Sequence, residues 1–208
     1  MSLAGWETPE SGALFVVSGA SGSGKTTLLH RVFQQVPGLE FSVSATTRAI
    51  RPGEAEGVDY HYVDLPTFEK LRDEGALLEH ANVYGRCYGT PRRPVEQALA
   101  QGRSIVLDID IVGARQVRVS HPEAVSVFVL PPSIAAIQER LFARGTDSGE
   151  IIARRIADAR VQLSACGEYD FLVMNDDLDT ATAVLTGIVL AELSRVGRRK
   201  GWVGRFSG

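Results

Sequence analysis

Residues 19–26 read Gly-Ala-Ser-Gly-Ser-Gly-Lys-Thr, the spacing G-x-x-x-x-G-K-[ST] in which glycines and a lysine surround an anion. The residues before it, Leu14-Phe-Val-Val-Ser18, form a short run rich in β-branched and aromatic side chains, which predicts a buried strand. After Gly24, Leu28, Leu29, Val32, Phe33 and Val36 recur at helical spacing until Pro37-Gly38 stops them. A strand therefore feeds a helix through a glycine-rich turn, so that successive backbone N–H groups and the helix N-terminus converge on one phosphate. Lys25 supplies a mobile cation for the β and γ phosphates, and the Thr26 hydroxyl can join the shell of a Mg²⁺ ion. The contacts expected for a nucleoside triphosphate are Gly19, Ala20, Ser21, Gly22, Ser23, Gly24, Lys25, Thr26 and Thr27.

Three later runs resemble the first strand: Ser104-Ile-Val-Leu-Asp108, Val125 to Leu130 and Phe171-Leu-Val-Met174, each short, apolar and separated by helix-length sequence. Parallel strands with crossover helices follow, an α/β fold with a P-loop core. Asp108 ends one of these strands, where an acid can hold Mg²⁺ or its water shell, and Asp110 lies two residues on. Helical spacing returns in Ile134, Ile137 and Leu141, and from Leu185 to Val196. Between Phe41 and Arg93 the texture changes: Tyr60-His-Tyr-Val63 alternates, a short helical stretch runs from Thr67 to Glu74, and Leu77 to Tyr88 reads as strand. This predicts an inserted substrate-binding unit, and the polar, glycine-bearing stretch from Ala143 to Glu150, leading into an arginine-rich helix, predicts a mobile lid.

The remaining features mainly exclude. With 22 Lys+Arg against 25 Asp+Glu the chain is not a general nucleic-acid binder, and its longest apolar segment, Val184 to Leu193, is half a membrane span. Cys87 and Cys166 are too few for a disulfide framework, and His30, His61, His80 and His121 have no metal-ligand spacing, so a reduced cytoplasmic setting is expected. The basic stretch from Arg198 to Arg205 reads as a solvated tail.

The series Ser44-Ala-Thr-Thr-Arg48-Ala-Ile-Arg51-Pro-Gly-Glu54, Gly57-Val-Asp-Tyr60, Leu78-Glu79-His-Ala81 and Tyr88-Gly89-Thr90, followed by Leu107-Asp-Ile-Asp110 and Arg140-Leu-Phe-Ala-Arg-Gly145, resembles guanylate kinases. The resemblance runs in family order over roughly residues 13 to 195 and implies transfer of the γ-phosphoryl of ATP to GMP, in purine nucleotide metabolism and GMP recycling. It implies one domain: a core of residues 13–42, 94–142 and 165–197, a GMP-binding α+β insertion over 43–93, a lid over 143–164 and a flexible tail over 198–208. Arg48 and Arg51 would fork onto the GMP phosphate, with the Tyr60 and Tyr88 hydroxyls completing its hydrogen bonds. Glu79 would face guanine N1–H and N2–H₂, because an ionised carboxylate only accepts, and adenine offers an acceptor at N1. Ser44 and Thr90 would stand near O6 and N7, and Asp108 and Asp110 would complete the GMP set. Lys25, Arg144 and Arg155 would carry the charge of the moving phosphoryl, Asn175 would lie near the adenine, and Thr26 and Asp108 would hold Mg²⁺, partly through water. The partners implied are the small molecules ATP and GMP, with no nucleic acid and no membrane; a homodimer is compatible with the sequence. An interaction module of the same fold and a sugar-phosphate kinase are the alternatives; the intact loop argues against the first and the joint presence of Ser44, Glu79 and Thr90 against the second. Arg86, Cys87 and Val112 depart from the residues usual in the family.

Overall fold

The computed structural model describes residues 6, 7, 9–143 and 149–206. In chain order its elements are β1 (Leu14–Gly19), α1 (Lys25–Gln35), β2 (Leu39–Phe41), β3 (Ser44–Thr46), β4 (Tyr60–Tyr62), α2 (Leu65–Asp73), β5 (Leu77–Val83), β6 (Arg86–Pro91) and α3 (Arg92–Ala100). They continue with β7 (Ser104–Asp108), α4 (Ile111–Ser120), β8 (Val125–Leu130), α5 (Ile134–Ala143), α6 (Gly149–Ser164), β9 (Phe171–Met174), α7 (Leu178–Leu193) and α8 (Lys200–Gly204).

β1, β2, β7, β8 and β9 form one parallel sheet in the order β2-β7-β1-β8-β9. Alternate residues of β1 enter opposite cores, as a strand covered on both faces requires. Phe15 and Val17 pack with Leu28, Leu29 and Val32 of α1 and with Ala181, Leu185, Val189 and Leu193 of α7. Leu14 and Val16 pack with Val95 and Ala98 of α3, Ala114 and Val117 of α4, and Leu78 of β5. The order reverses at β1, which has β7 on one side and β8 on the other, so the C-terminal end of β1 is the crevice where such sheets bind ligands.

The second sheet, in the order β4-β3-β6-β5, has a small core of its own, Ala45, Phe68 of α2 and Leu77. A register shift between Leu77 and Glu79 lets three consecutive residues bury themselves in different places. Leu77 enters the small core, Leu78 the main one, and Glu79 the space between.

Three expectations change. The strand expected from Leu77 to Tyr88 is a hairpin, β5 and β6 joined through Tyr84 (φ 52°) and Gly85 (φ 76°); tyrosine is a poor signal for a left-handed turn position. Val196, expected on the last helical face, stands in a short turn beyond α7 and is 70% exposed. The basic stretch after residue 197 is not a solvated tail throughout. Arg199 is buried, its guanidinium 4.5 Å from the ring centres of both Trp6 and Trp202, and its Nε donates to the Leu193 carbonyl at 3.0 Å. Arg198 pairs with the buried carboxylate of Glu192, while Arg199 donates to the Glu7 carbonyl at 2.5 Å and the Gly201 N–H to Glu10 at 2.7 Å, so the basic run ties the C-terminal segment to residues before β1.

Candidate active site

The cleft lies where the two sheets meet, at the C-terminal end of β1, with a volume of about 350 Å³. The loop after β1 lines one side, with Gly22 and Gly24 both at φ 82°, a backbone conformation that glycine adopts without steric cost. Gly24 immediately precedes α1, so the amides of the loop and of the first helical turn face the same space. Lys25 and Asp108 meet as an ion pair because β1 and β7 are neighbours in the sheet. Burial draws the Lys25 ammonium down to about 8 against the opposing pull of Asp110, and its contact with the Asp108 carboxylate keeps it the cationic partner. Thr26 and Thr27 also line the cleft.

Side chains from behind brace the loop. The Asn175 amide donates to the Ser23 carbonyl at 2.7 Å, and Arg140 donates to the Gly22 and Ser23 carbonyls at 3.3 and 3.2 Å and to the Asn175 carbonyl at 3.0 Å. Asn175 is buried and holds the loop from behind rather than lining the cleft. From α6, Arg155 donates to the Ser21 hydroxyl at 3.2 Å, and Gln162 accepts from the Ser21 N–H at 3.1 Å. Gln162 gave no signal in the sequence beyond its place in a helix. Arg144 lies outside the described residues.

On the opposite side stand Ser44, Tyr60, Glu79, Tyr88 and Asp110. Arg48 lies over the rings of Tyr60 and Tyr62, 5.2 and 5.7 Å from their centres, and binds Glu54 through both terminal nitrogens at 2.8 and 2.9 Å. The Arg51 N–H also donates to Glu54 at 2.8 Å, as does the Tyr62 hydroxyl. The arginine hydrogen bonds hold the Glu54 carboxyl down at about 2, while burial and Glu54 push Tyr62 up to about 12. Burial likewise raises Tyr60, which stays a neutral donor. Glu54 stood in the motif without a role; in the fold it orients Arg48.

Glu79 is 3% exposed, and burial is the main force pushing its carboxyl up to about 7; the Thr90 hydrogen bond opposes this and Asp110 adds to it. The Thr90 hydroxyl donates to Glu79 Oε1 at 2.6 Å. Its single proton is thereby committed to the carboxylate, a different task from donating to O6 or N7. Asp110 caps α4, accepting from the Gly113 N–H at 2.8 Å. Among the described residues no group of three or more His, Cys, Asp or Glu could hold a metal ion, and no helix is long and apolar enough to cross a membrane. Both cysteines are free thiols.

A glycine loop at the switch point of a parallel sheet, facing a second sheet that buries an acid and presents an arginine among tyrosines, defines a P-loop protein built around a nucleotide and a second, anionic small molecule. A family model described as guanylate kinase matches residues 11–192. The chain is 49% identical to a guanylate kinase of Carboxydothermus hydrogenoformans over 181 residues, covering 87% of this chain and 89% of that one. It is 49% identical to one of Symbiobacterium thermophilum over 187 residues, covering 90% and 89%. The crystal structure of guanylate kinase from Anaplasma phagocytophilum superposes with a TM-score of 0.76 at 32% identity, covering 91% of this chain and 90% of that one. The chain belongs to the guanylate kinase family: it is an enzyme, a nucleoside monophosphate kinase.

Proposed function

We propose that this guanylate kinase transfers the γ-phosphoryl of ATP to GMP, giving ADP and GDP, with the triphosphate on the loop after β1 and the monophosphate nucleotide on the second sheet. One observation carries the reading: the loop with Lys25 and the side chains Ser44, Tyr60, Glu79 and Tyr88 of the second sheet open onto the same cleft. Two substrates held there react as one molecule would, which lowers the entropic part of the barrier.

The loop amides and Lys25 take the β and γ phosphates, and Arg155, bonded to the loop from α6, adds positive charge where the phosphoryl moves. Asn175 and Arg140 contribute by fixing the loop. Arg48, already oriented by Glu54 and the tyrosine rings, takes the GMP phosphate together with Arg51, Tyr60 and Tyr88. Glu79, braced by Thr90, accepts from guanine N1–H and N2–H₂, with Ser44 beside it. An oxygen of the GMP phosphate forms the new bond to the γ phosphorus as the bond to the β–γ bridging oxygen breaks, and ADP leaves with that oxygen; no side chain forms a covalent intermediate. The α6 segment would act as the lid, excluding water that would otherwise accept the phosphoryl.

The donor chemistry of the site fits Mg²⁺. The Thr26 hydroxyl and the Asp108 carboxylate are hard oxygen donors lining the cleft, and so few protein ligands suit an ion that keeps waters and takes its other ligands from phosphates. When bound, Mg²⁺ neutralises charge on the phosphate oxygens. The two free thiols suit a reducing cytoplasm.

The test offers ATP and Mg²⁺ with GMP, AMP, UMP, CMP or ribose 1,5-bisphosphate in turn and measures ADP. The expected result is rapid ADP formation with GMP and little with the rest. Equal turnover with every acceptor, or none with GMP, would refute the assignment.

A further inference from the structure

Gly113 is a glycine that its own backbone does not require. It sits in the first turn of α4, buried, with no positive φ, where alanine would be the better helix former. A Cβ on it would stand 2.2 Å from Glu79 Oε2, 2.9 Å from Cδ and 3.4 Å from Cγ, so the glycine is demanded by its neighbour. The Glu79 carboxylate is thus bracketed, with Thr90 bonded to Oε1 and the bare α-carbon of Gly113 against Oε2.

One helical turn on, and so on the same face of α4, Gln116 grips the residue that follows Glu79. The His80 N–H donates to Gln116 Oε1 at 3.1 Å, and Gln116 Nε2 donates to the His80 carbonyl at 2.7 Å. β5 ends its sheet, with β6 as its strand neighbour, so the amide of Gln116 takes the place a further strand would have on that residue. The helix therefore fixes both ends of the lever, the backbone beside Glu79 and the carboxylate at its tip.

We infer that Gly113 and Gln116 are positioning residues that set the choice of guanine over adenine, by holding the Glu79 carboxylate where the purine edge arrives. This rests on the proposed reading of guanine by Glu79. The two acceptor oxygens must meet two adjacent donors in one plane, and Gly113→Ala would push one of them aside. A displacement of about 1 Å at such a site can cost about 100-fold.

The experiment measures kcat and KM for GMP and AMP, KM for ATP, and thermal unfolding, on the full chain carrying Gly113→Ala, Gln116→Ala, Glu79→Gln, or Gly113→Ala with Glu79→Gln. Gly113→Ala is expected to lower the GMP-to-AMP ratio of kcat/KM by about 10- to 100-fold, mainly through KM for GMP, with KM for ATP unchanged and the melting temperature only modestly lowered by the added methyl group. Gln116→Ala should move the ratio the same way by less. On the Glu79→Gln background Gly113→Ala should lower the ratio no further, because it acts through the carboxylate. If Glu79→Gln leaves the ratio unchanged, the reading of guanine by Glu79 falls, and the inference with it. If Glu79→Gln lowers the ratio while Gly113→Ala and Gln116→Ala leave it alone, the inference alone falls. Loss of melting temperature with equal damage to both KM values would show an ordinary structural role and overturn it too. Should Gly113→Ala not fold, Gln116→Ala alone decides by the same criteria.

Discussion

Glu79 has its carboxyl pushed up to about 7 by burial, yet guanine needs it ionised. KM for GMP is therefore expected to rise as pH falls below about 7, approaching tenfold per pH unit. AMP carries the same phosphate and serves as the control, since its KM should lack this component. A flat GMP profile, or identical profiles for both nucleotides, would contradict the role. The same shift has a sign in stability. The folded chain holds this proton between about 4.5 and 7 whereas the unfolded chain releases it, so the contribution is full below about 4.5 and is lost as pH rises through 7. At this scale Lys25 was legible as a residue because the loop has a spacing of its own, whereas Arg48 and Glu79 stood out only through the resemblance to a family. Gly113 and Gln116 were not legible, because their meaning lies in contact with residues 79 and 80, more than thirty positions away and on another element. Thr90 and Asn175 were found as residues, but their partners within the fold, the Glu79 carboxylate and the Ser23 carbonyl, were not, since a sequence shows a donor without showing which acceptor takes it.

The elements of the parallel sheet follow from short apolar runs separated by amphipathic stretches, and the strands expected at Leu14, Ser104, Val125 and Phe171 all stand in it. The shift between Leu77 and Glu79 is not written in residue type: two leucines and a glutamate give no alternation to break, and only the presence of two cores explains why all three are buried. The C-terminal segment shows the opposite case. Its arginines read as surface charge, but two tryptophans and the Glu192 carboxylate, scattered from residue 6 to residue 202, assemble around them. Arg199→Ala is expected to cost about 1–2 kcal/mol, a desolvated cation between two rings, and to lower the melting temperature by about 2–4 °C per kcal/mol. Turnover should be unchanged, because none of these residues lines the cleft. An unaltered melting curve, or lost activity without lost stability, would contradict the clamp.

Across the whole molecule, the loop after β1, the second sheet and α6 all contribute residues to the one cleft. The hairpin tip reaches α6 through Tyr84, whose ring lies 5.9 Å from the Arg154 guanidinium carbon. Tyrosine at φ 52° carries backbone strain that glycine would relieve, so Tyr84→Gly separates local comfort from long-range contact. It should leave the melting temperature equal or higher and lower kcat/KM for GMP about fivefold, the equivalent of about 1 kcal/mol. A lower melting temperature with unchanged turnover would contradict a link between the second sheet and α6. The claim on which the molecule's function turns is that one cleft holds both nucleotides with the guanine edge on Glu79. A crystal structure with ADP, Mg²⁺ and GMP bound measures it directly. The expected result places the guanine N1 and N2 within hydrogen-bond distance of Glu79 and the GMP phosphate on Arg48 and Arg51. A GMP molecule bound elsewhere, or with its base turned away from Glu79, would contradict it.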